Sequence, residues 1–257
     1  MGSALYKKAI VRRPGYSVVH GITTANLGKP NYEKALTQHE KYIETLESCG
    51  LEVTVMPAKE KFPDSTFVED SAVLTEKCAV ITNFGAESRR GEEESMYKLL
   101  KEFYNKIECI KEPGTLEGGD IMRVEDHFYI GLSERTNKAG ARQLRGILAK
   151  YGYTSSYVLC EQVLHLKTGV AYLGGNTLVV TGEFIDKEEF EGFDKIIITE
   201  EESYAANSVR VNDYVIMPKG YEKSRNEIVE AGYKVKEVNL SEFRKIDGGV
   251  SCLSLRF

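Results

Sequence analysis

A single supersecondary plan recurs along these 257 residues, and a repeat of this kind restricts architecture more tightly than composition can. Each copy runs apolar strand, polar link, amphipathic helix, second strand. The first copy is "AIVRRPG", "YEKALTQHEKYIETLESCG" and "LEVTVMP"; the second is "AVITNFG", "EEESMYKLLKEFY" and "IECIK". The third is "FYIGLSERT", "NKAGARQLRGILAKYG" and "SSYVL", and another is "YVIMPKG", "EKSRNEIVEAG" and "YKVKEVNL". A weaker copy reads "NTLVVTG", "DKEEFEGF" and "KIIITEEE". Met96, Leu99, Leu100 and Phe103 fall at i, i+3, i+4 and i+7, as do Leu144, Ile147, Leu148 and Tyr151, which predicts helices. Gly50, Gly152 and Gly232 stand where left-handed C-caps would end helices.

A further short strand precedes each copy: "TFVEDSAVL", "TLEGGDIMRV", "LHLKTGVAYL" and "YAANSVRV". The unit is therefore strand, strand, helix, strand, at a spacing of roughly 40 to 50 residues. The first copy lacks its leading strand, and the C-terminal "GGVSCLSLRF" has the character to supply it. The expected fold is an α/β ring of five ββαβ units around a central channel, closed by the chain's own tail. Such closure would leave no exposed sheet edge. Residues 1–257 would then form one catalytic domain.

Apolar residues at 42% and charged residues at 28% suit a soluble globular protein with a sizeable core. A net charge of −5 argues against nucleic-acid binding, which draws its affinity from clustered Lys and Arg. No apolar run approaches the roughly 20 residues needed to cross a bilayer, so no membrane partner is expected. The N-terminal "MGSALYKKAI" lacks a signal-peptide core, and Tyr6 stands where a myristoylation motif calls for Ser or Thr. Met1–Ser3 reads equally as native or as vector-derived. Cys49, Cys78, Cys109, Cys160 and Cys252 are scattered, with no C-x-x-C pair. That excludes a disulfide framework or a zinc site and fits a reducing cytoplasm. Cys49, Cys78, Cys109 and Cys160 sit in apolar stretches and read as structural; Cys252 follows glycines.

The ring places Glu69 and Asp70, Glu117, His165, Asn207 and Cys252 at equivalent positions facing the channel, although the chain separates some by nearly two hundred residues. Cys252, His165 and Glu117 together make a nucleophile, a base and an orienting carboxylate. His20, His39 and His127, in a loop, on a helix and at a strand start, read as non-catalytic. Asp64, Glu69 and Asp70 in "FPDSTFVED" and Asp247 in "KIDGGVSC" are interleaved with Phe62, Phe67, Val68 and Ile246, so some must be buried and need partners. A guanidinium is the best match, because its planar donors meet carboxylates in pairs. Arg89 and Arg135 are candidates to clamp a substrate carboxylate; for Arg89 a surface ion pair with Glu92 or Glu93 is the alternative.

The stretches "NLGKP", "FPDSTFVED", "GAESRRGE", "GTLEGGDIM", "DHFYIGLSERTN", "VLHLKTG", "EEESYAAN" and "RKIDGGVSCLSLRF" together resemble the dimethylarginine dimethylaminohydrolases, in their bacterial form. The resemblance runs along essentially the whole chain. It implies the pentein fold of the guanidino-modifying enzymes, a five-bladed α/β propeller, in agreement with the ring. It implies hydrolysis of Nω-methylated arginine to citrulline plus methylamine or dimethylamine, with Cys252 as nucleophile and His165 as acid and base, oriented by Glu117. By the same matching, Asp64, Glu69, Asp70 and Asp247 hold the guanidinium and amino groups, and Arg89 and Arg135 the α-carboxylate. Ile22 offers a backbone carbonyl and an aliphatic lid, while Phe67 and Ile246 line the pocket. Gly174 and Gly175 before Asn176, and Ile22 in place of the frequent leucine, depart from the family pattern. The resemblance also suggests a homodimer.

This chemistry requires no metal and no organic cofactor, and its partner is a small guanidino substrate. Negative charge from Asp70, Asp247 and Glu117 should raise the Cys252 pKa in the free protein, with no helix N-terminus to lower it. Deimination of free arginine or another guanidino hydrolysis uses the same residues and differs in how the terminal nitrogens are sensed. Amidino transfer would need an amine acceptor site, for which no segment stands out. A non-catalytic ring acting as a binding module would have no reason to keep Cys, His and Glu in register.

Overall fold

A computed structural model describes residues 6–257. Met1–Ser3 lie outside the described residues. In chain order the elements open with β1 (Lys8–Arg12), α1 (Tyr32–Ser48) and β2 (Glu52–Met56). The second unit comprises β3 (Ala72–Leu74), β4 (Ala79–Ile81), α2 (Glu93–Leu100) and β5 (Ile107–Cys109). The third comprises β6 (Ile121–Val124), β7 (His127–Leu132), α3 (Lys138–Lys150) and β8 (Thr154–Leu159). A short α4 (Leu166–Gly169) leads into β9 (Val170–Gly174), β10 (Thr177–Val180) and β11 (Asp194–Ile197). The last unit is β12 (Val209–Val211), β13 (Tyr214–Pro218), α5 (Glu222–Glu230) and β14 (Lys234–Val238), followed by α6 (Ser241–Arg244) and β15 (Leu255–Arg256).

These strands form five three-stranded sheets of one design. A leading strand pairs antiparallel with the second strand, which pairs parallel with the third, as in β6–β7–β8. A parallel pair needs a long crossover, and the predicted helices supply it in four blades. Asn31 caps α1 by accepting from the Lys34 amide, and Asn137 caps α3 by accepting from the Gly140 amide. Gly50, Gly152 and Gly232 follow α1, α3 and α5 at φ of 91°, 80° and 93°, the left-handed terminations their positions predict. In the weaker copy "DKEEFEGF" forms a single 3-10 turn, Glu188–Phe190, instead of a helix.

The tail does complete the first blade. β15 pairs antiparallel with β1 through Ala9↔Arg256 and Ile10↔Leu255. Its strand is only two residues long, and Cys252 precedes it on the 3-10 turn Ser251–Leu253. α1 holds the tail in place, since the buried Tyr42 hydroxyl donates to the Val250 carbonyl at 2.8 Å. The core is shared between neighbours: Ile10 and Leu255 of the first blade bury themselves against Val68, Ala79, Met96 and Leu100 of the second.

Closure does not abolish sheet edges, contrary to the expectation from the repeat. The five sheets stay separate, and each keeps its third strand at the outer edge. Val55, Leu159 and Ile197 on three of those edges are 49–50% exposed. What closes at the centre is a circle of short turns ahead of the leading strands. Val68–Ser71 touches Gly118–Asp120, which touches α4, which touches Glu200–Ala206. Asn207 then bonds Ser251, and the Ser251–Leu253 turn returns to Val68–Ser71. Among the described residues no helix is long and apolar enough to cross a membrane.

Candidate active site

The turn ring is where chemistry-bearing side chains converge. Cys252, His165 and Glu117 line one cavity together with Asp64, Asp70 and Asp247. Ile22, Phe67 and Ile246 form its apolar wall, and Arg89 and Arg135 reach it as well. Each polar residue sits on a turn or at a turn boundary rather than on a leading strand: Glu117 and His165 immediately precede the turns that begin at Gly118 and Leu166. Gly118 allows the turns to approach, because a Cβ there would lie 2.0 Å from the Glu69 carbonyl oxygen.

His165 is buried at 8% exposure, and its Nε2 lies 2.7 Å from Glu117 Oε2. Glu117 is anchored in turn, its Oε1 accepting from the Gly85 and Ala86 amides at 3.1 and 3.2 Å. Burial opposes charge on both partners, but the hydrogen bond and charge of His165 outweigh it and lower the Glu117 carboxyl. For His165, burial is outweighed by Asp70, Asp120 and Glu117, which raise it to about 9. The imidazolium is thus the form present near neutrality. With Nε2 committed to Glu117, Nδ1 is the ring nitrogen left to exchange a proton in the cavity.

Asp70 donates nothing and accepts twice, from Arg89 Nη1 at 2.6 Å and from the Gly119 amide at 2.9 Å. Its Oδ1 stands 4.0 Å from His165 Nε2. Asp70, Glu117 and His165 each offer an atom within 4.8 Å of the others, a spacing a divalent cation would accept. Those atoms are already engaged by Arg89, backbone amides and one another, so the cluster is satisfied as an acid–base set. Asp64 accepts from the Ile22 amide at 2.9 Å, and Asp247, at φ 57°, accepts from the Thr24 amide at 2.6 Å. Residues 21–30 carry no helix or strand, and these two carboxylates hold their beginning over the cavity.

Three expectations need correcting. Glu69 does not line this cavity. Its carboxylate accepts from Lys167 at 2.6 Å, Ser251 at 2.7 Å and Arg256 at 3.2 Å, on the side away from Asp70. Neighbours on a 3-10 turn diverge by about 120°, so Glu69 and Asp70 cannot face the same way. Arg89 is not on the surface: at 5% exposure it is locked between Asp70 and Glu92, with Nη2 also donating to the Phe67 carbonyl at 3.1 Å. Arg135, half-buried, makes no side-chain hydrogen bond or ion pair among the described residues, which leaves it the freer of the two for an anionic group. Finally, Cys109 is exposed, while Cys49, Cys78 and Cys160 are buried as expected.

Two residues were missed. Asp120 is fully buried, accepts from the Leu166 amide at 3.0 Å and from Ser133 Oγ at 2.7 Å, and helps raise His165. Its signal was present, a second acid in the glycine-framed "LEGGD". Leu164 adds to the apolar wall, and nothing in its local pattern marks it.

Cys252 is half-buried, with Sγ accepting from the Gly249 amide at 3.4 Å. Burial first, then the charges of Glu69 and Asp70, push its thiol up to about 12. The upward direction matches the expectation, but the cause is mainly burial and Glu69 rather than Asp247 and Glu117. Iodoacetamide inactivation should therefore accelerate with pH beyond 9, and a bound guanidinium should shift that profile to lower pH. Activity must be followed rather than total thiol, because Cys109 reacts independently. An inactivation rate already on its plateau at pH 7 would refute this.

A family model described as "N,N dimethylarginine dimethylhydrolase, eukaryotic" matches residues 24–255. The N(G),N(G)-dimethylarginine dimethylaminohydrolase of Pseudomonas aeruginosa is 56% identical over 254 residues, 98% of this chain and 100% of the relative. A crystal structure of that Pseudomonas enzyme, a cysteine-to-serine variant complexed with citrulline, superposes with a TM-score of 0.98 at 55% identity, covering 99% of this chain and 100% of that one. A dimethylarginine dimethylaminohydrolase carrying a histidine-to-glycine change and an adduct with S-methyl-L-thiocitrulline gives 0.97 at 55% identity, covering 98% and 100%. With a pentein-type ring of ββαβ blades, a family model matching residues 24–255 and a relative 56% identical over 98% of its length, the chain belongs to the dimethylarginine dimethylaminohydrolase family.

Proposed function

We propose that this protein hydrolyses Nω-methylated L-arginine to L-citrulline plus dimethylamine or methylamine, through a covalent thiouronium on Cys252. The observation that carries the reading is one cavity holding a thiol, a carboxylate-paired imidazolium and the acids Asp64, Asp70 and Asp247. The citrulline complex and thiocitrulline adduct of its relatives suit the same chemistry.

The guanidinium carbon is a poor electrophile, with its charge spread over three nitrogens. Asp70 holds that plane against Cys252, and the arriving cation offsets the negative field, so the thiol loses its proton to solvent. Sγ then forms a bond to the carbon and gives a tetrahedral adduct. His165 Nδ1 donates its proton to the departing nitrogen, the C–N bond breaks, and neutral amine leaves. The remaining thiouronium is attacked by water, whose proton passes to the now neutral His165. Collapse expels the Cys252 sulfur, which takes up the remaining hydroxyl proton as a thiol, and leaves the ureido group of citrulline. That product is uncharged at its end and loses its charge-assisted bonds to the acids, which favours release.

The cavity measures about 40 Å³, room for a few waters rather than an amino acid. Substrate entry on this reading displaces the Ile22–Thr24 segment from Asp64 and Asp247, freeing both carboxylates for the substrate's cationic groups. Arg135 takes the α-carboxylate, with the one remaining Nη1 hydrogen of Arg89 in a lesser part. Residues 1–257 work as one catalytic domain, in the cytoplasm, as a homodimer.

The decisive assay compares citrulline release from asymmetric dimethylarginine, monomethylarginine and arginine. Methyl groups need apolar room and bare nitrogens need acceptors; Phe67, Leu164 and Ile246 supply the former. We expect kcat/KM for the methylated substrates to exceed that for arginine by about a hundredfold or more. A preference for arginine would transfer the chain to the deiminating relatives.

A further inference from the structure

Arg89 is shared by two buried carboxylates. Its Nη1 donates to Asp70 Oδ2 at 2.6 Å, and its Nε and Nη2 reach the two oxygens of Glu92 at 3.1 and 2.9 Å. The guanidinium lies over the Phe84 ring, 4.5 Å from its centroid. Asp70, Arg89 and Glu92 are 3%, 5% and 4% exposed. Asp70 and Arg89 reach the cavity, whereas Glu92 does not.

We propose that Glu92 is a positioning residue for the hydrolysis: it grips the Arg89 guanidinium with both oxygens and takes up part of its charge, so that Asp70 keeps the negative field that recruits the substrate cation. The proposal rests on the functional reading above. Its electrostatics follow from counting. With Glu92 ionised the trio Asp70, Arg89 and Glu92 sums to −1; with Glu92 neutral it sums to zero, and Asp70 is cancelled by Arg89 alone. In a water-poor site that difference is felt strongly by an incoming guanidinium.

The geometry adds orientation. A guanidinium fixed by a bidentate carboxylate cannot rotate to give Asp70 a second N–H. Held this way, Arg89 Nη2 also donates to the Phe67 carbonyl at 3.1 Å, which pins residues 64–70, the segment carrying Asp64, Phe67 and Asp70. Releasing Glu92 would loosen that segment and neutralise Asp70 together.

Other charges bear on Glu92. Arg12 of β1 and Lys59 sense it from outside the cavity, and Arg12 Nη2 donates to Ser95 Oγ at 2.8 Å, whose own hydroxyl donates to the Glu92 carbonyl at 3.0 Å. Asp64 and Asp70 face it from the cavity side. Burial pushes the Glu92 carboxyl up to about 7, against the pull of Arg89 and with the help of Asp64 and Asp70. Acid should therefore release the grip within the ordinary working range. His165 and Cys252 titrate well above it.

The test measures kcat and KM for dimethylarginine from pH 6 to pH 8 in the wild type, Glu92→Gln and Glu92→Asp, with thermal melts of each. At pH 8, Glu92→Gln should raise KM about tenfold while kcat changes less than about threefold. At pH 6 the gap should narrow to under about threefold, because protonated Glu92 already resembles glutamine. Glu92→Asp, which keeps the charge, should recover part of the lost affinity at pH 8. A merely structural role would lower the melting temperature and kcat with a ratio independent of pH, and that result would overturn the proposal. A wild-type KM that stays flat from pH 8 to pH 6 would overturn it without any variant. A wild type that releases no citrulline would instead defeat the functional reading on which it rests.

Discussion

Cys252→Ser should reduce kcat for dimethylarginine by about 10⁴-fold or more and leave citrulline binding within about threefold of wild type. A serine hydroxyl at this place has no base positioned to strip it, since His165 is already protonated and bonded to Glu117. The frame around position 252 does not depend on sulfur. Asn207 Oδ1 accepts from the Ser251 amide at 2.9 Å, Ser251 Oγ donates to Glu69 at 2.7 Å, and Tyr42 holds Val250 from α1. The Asp64, Asp70 and Asp247 carboxylates are untouched by the exchange. Steady-state kinetics beside calorimetric titration with citrulline checks both halves. Retained turnover would exclude nucleophilic catalysis by Cys252, and unchanged behaviour in both assays would point to a binding module.

His165→Gly should separate the two half-reactions. Dimethylamine leaves only when protonated, so loss of the imidazolium should lower turnover of dimethylarginine by about 10³-fold, within the range for general acid catalysis. S-methyl-L-thiocitrulline places a thiolate leaving group on the same carbon, and a thiolate departs without that proton. The first step should then survive, while the second, which needs neutral His165 to activate water, should stall. Intact-protein mass spectrometry should show the thiouronium accumulating on Cys252 in the variant and not in the wild type. Glu117, at 1% exposure, loses its 2.7 Å partner in this variant, so a destabilisation of about 3–5 kcal/mol is expected and a thermal melt must accompany the kinetics. A folded variant that forms no adduct would remove His165 from the leaving-group role without touching the assignment of Cys252.

Both experiments concern residues that the sequence alone singles out as candidates. The repeat places Cys252, His165 and Glu117 at matching positions in three of the five units, and the structure brings all three to one cavity. The tail strand was legible for the same reason: "GGVSCLSLRF" has the character of the leading strand that the first unit lacks, and it pairs with β1. Helix ends followed from Gly50, Gly152 and Gly232, because a positive φ is a local property of the chain. The weak copy "DKEEFEGF" was the exception: its acidic, apolar-poor run lets tertiary context choose a 3-10 turn over a helix.

Side-chain direction within the site was not legible. Glu69 and Asp70 are adjacent acids in one motif, yet one meets Lys167 and Arg256 while the other meets Arg89, His165 and the cavity. Arg89 and Arg135 sit alike in their units, yet Arg89 is consumed by Asp70 and Glu92, while the Arg135 guanidinium has no ion-pair partner among the described residues. The high thiol pKa was anticipated in sign only, since its leading cause, burial, is a property of packing.

The sequence by itself determined the repeat unit, the count of blades and the strand that closes the ring, all of which follow from periodicity and local backbone preference. Only the tertiary structure decided which acid faces the cavity, which arginine there is paired, and how the charges of Glu117, Asp70 and Asp120 raise His165. Those choices depend on where side chains from different blades meet and how much water they exclude, and the interaction of buried charges varies with distance and solvation rather than with order along the chain.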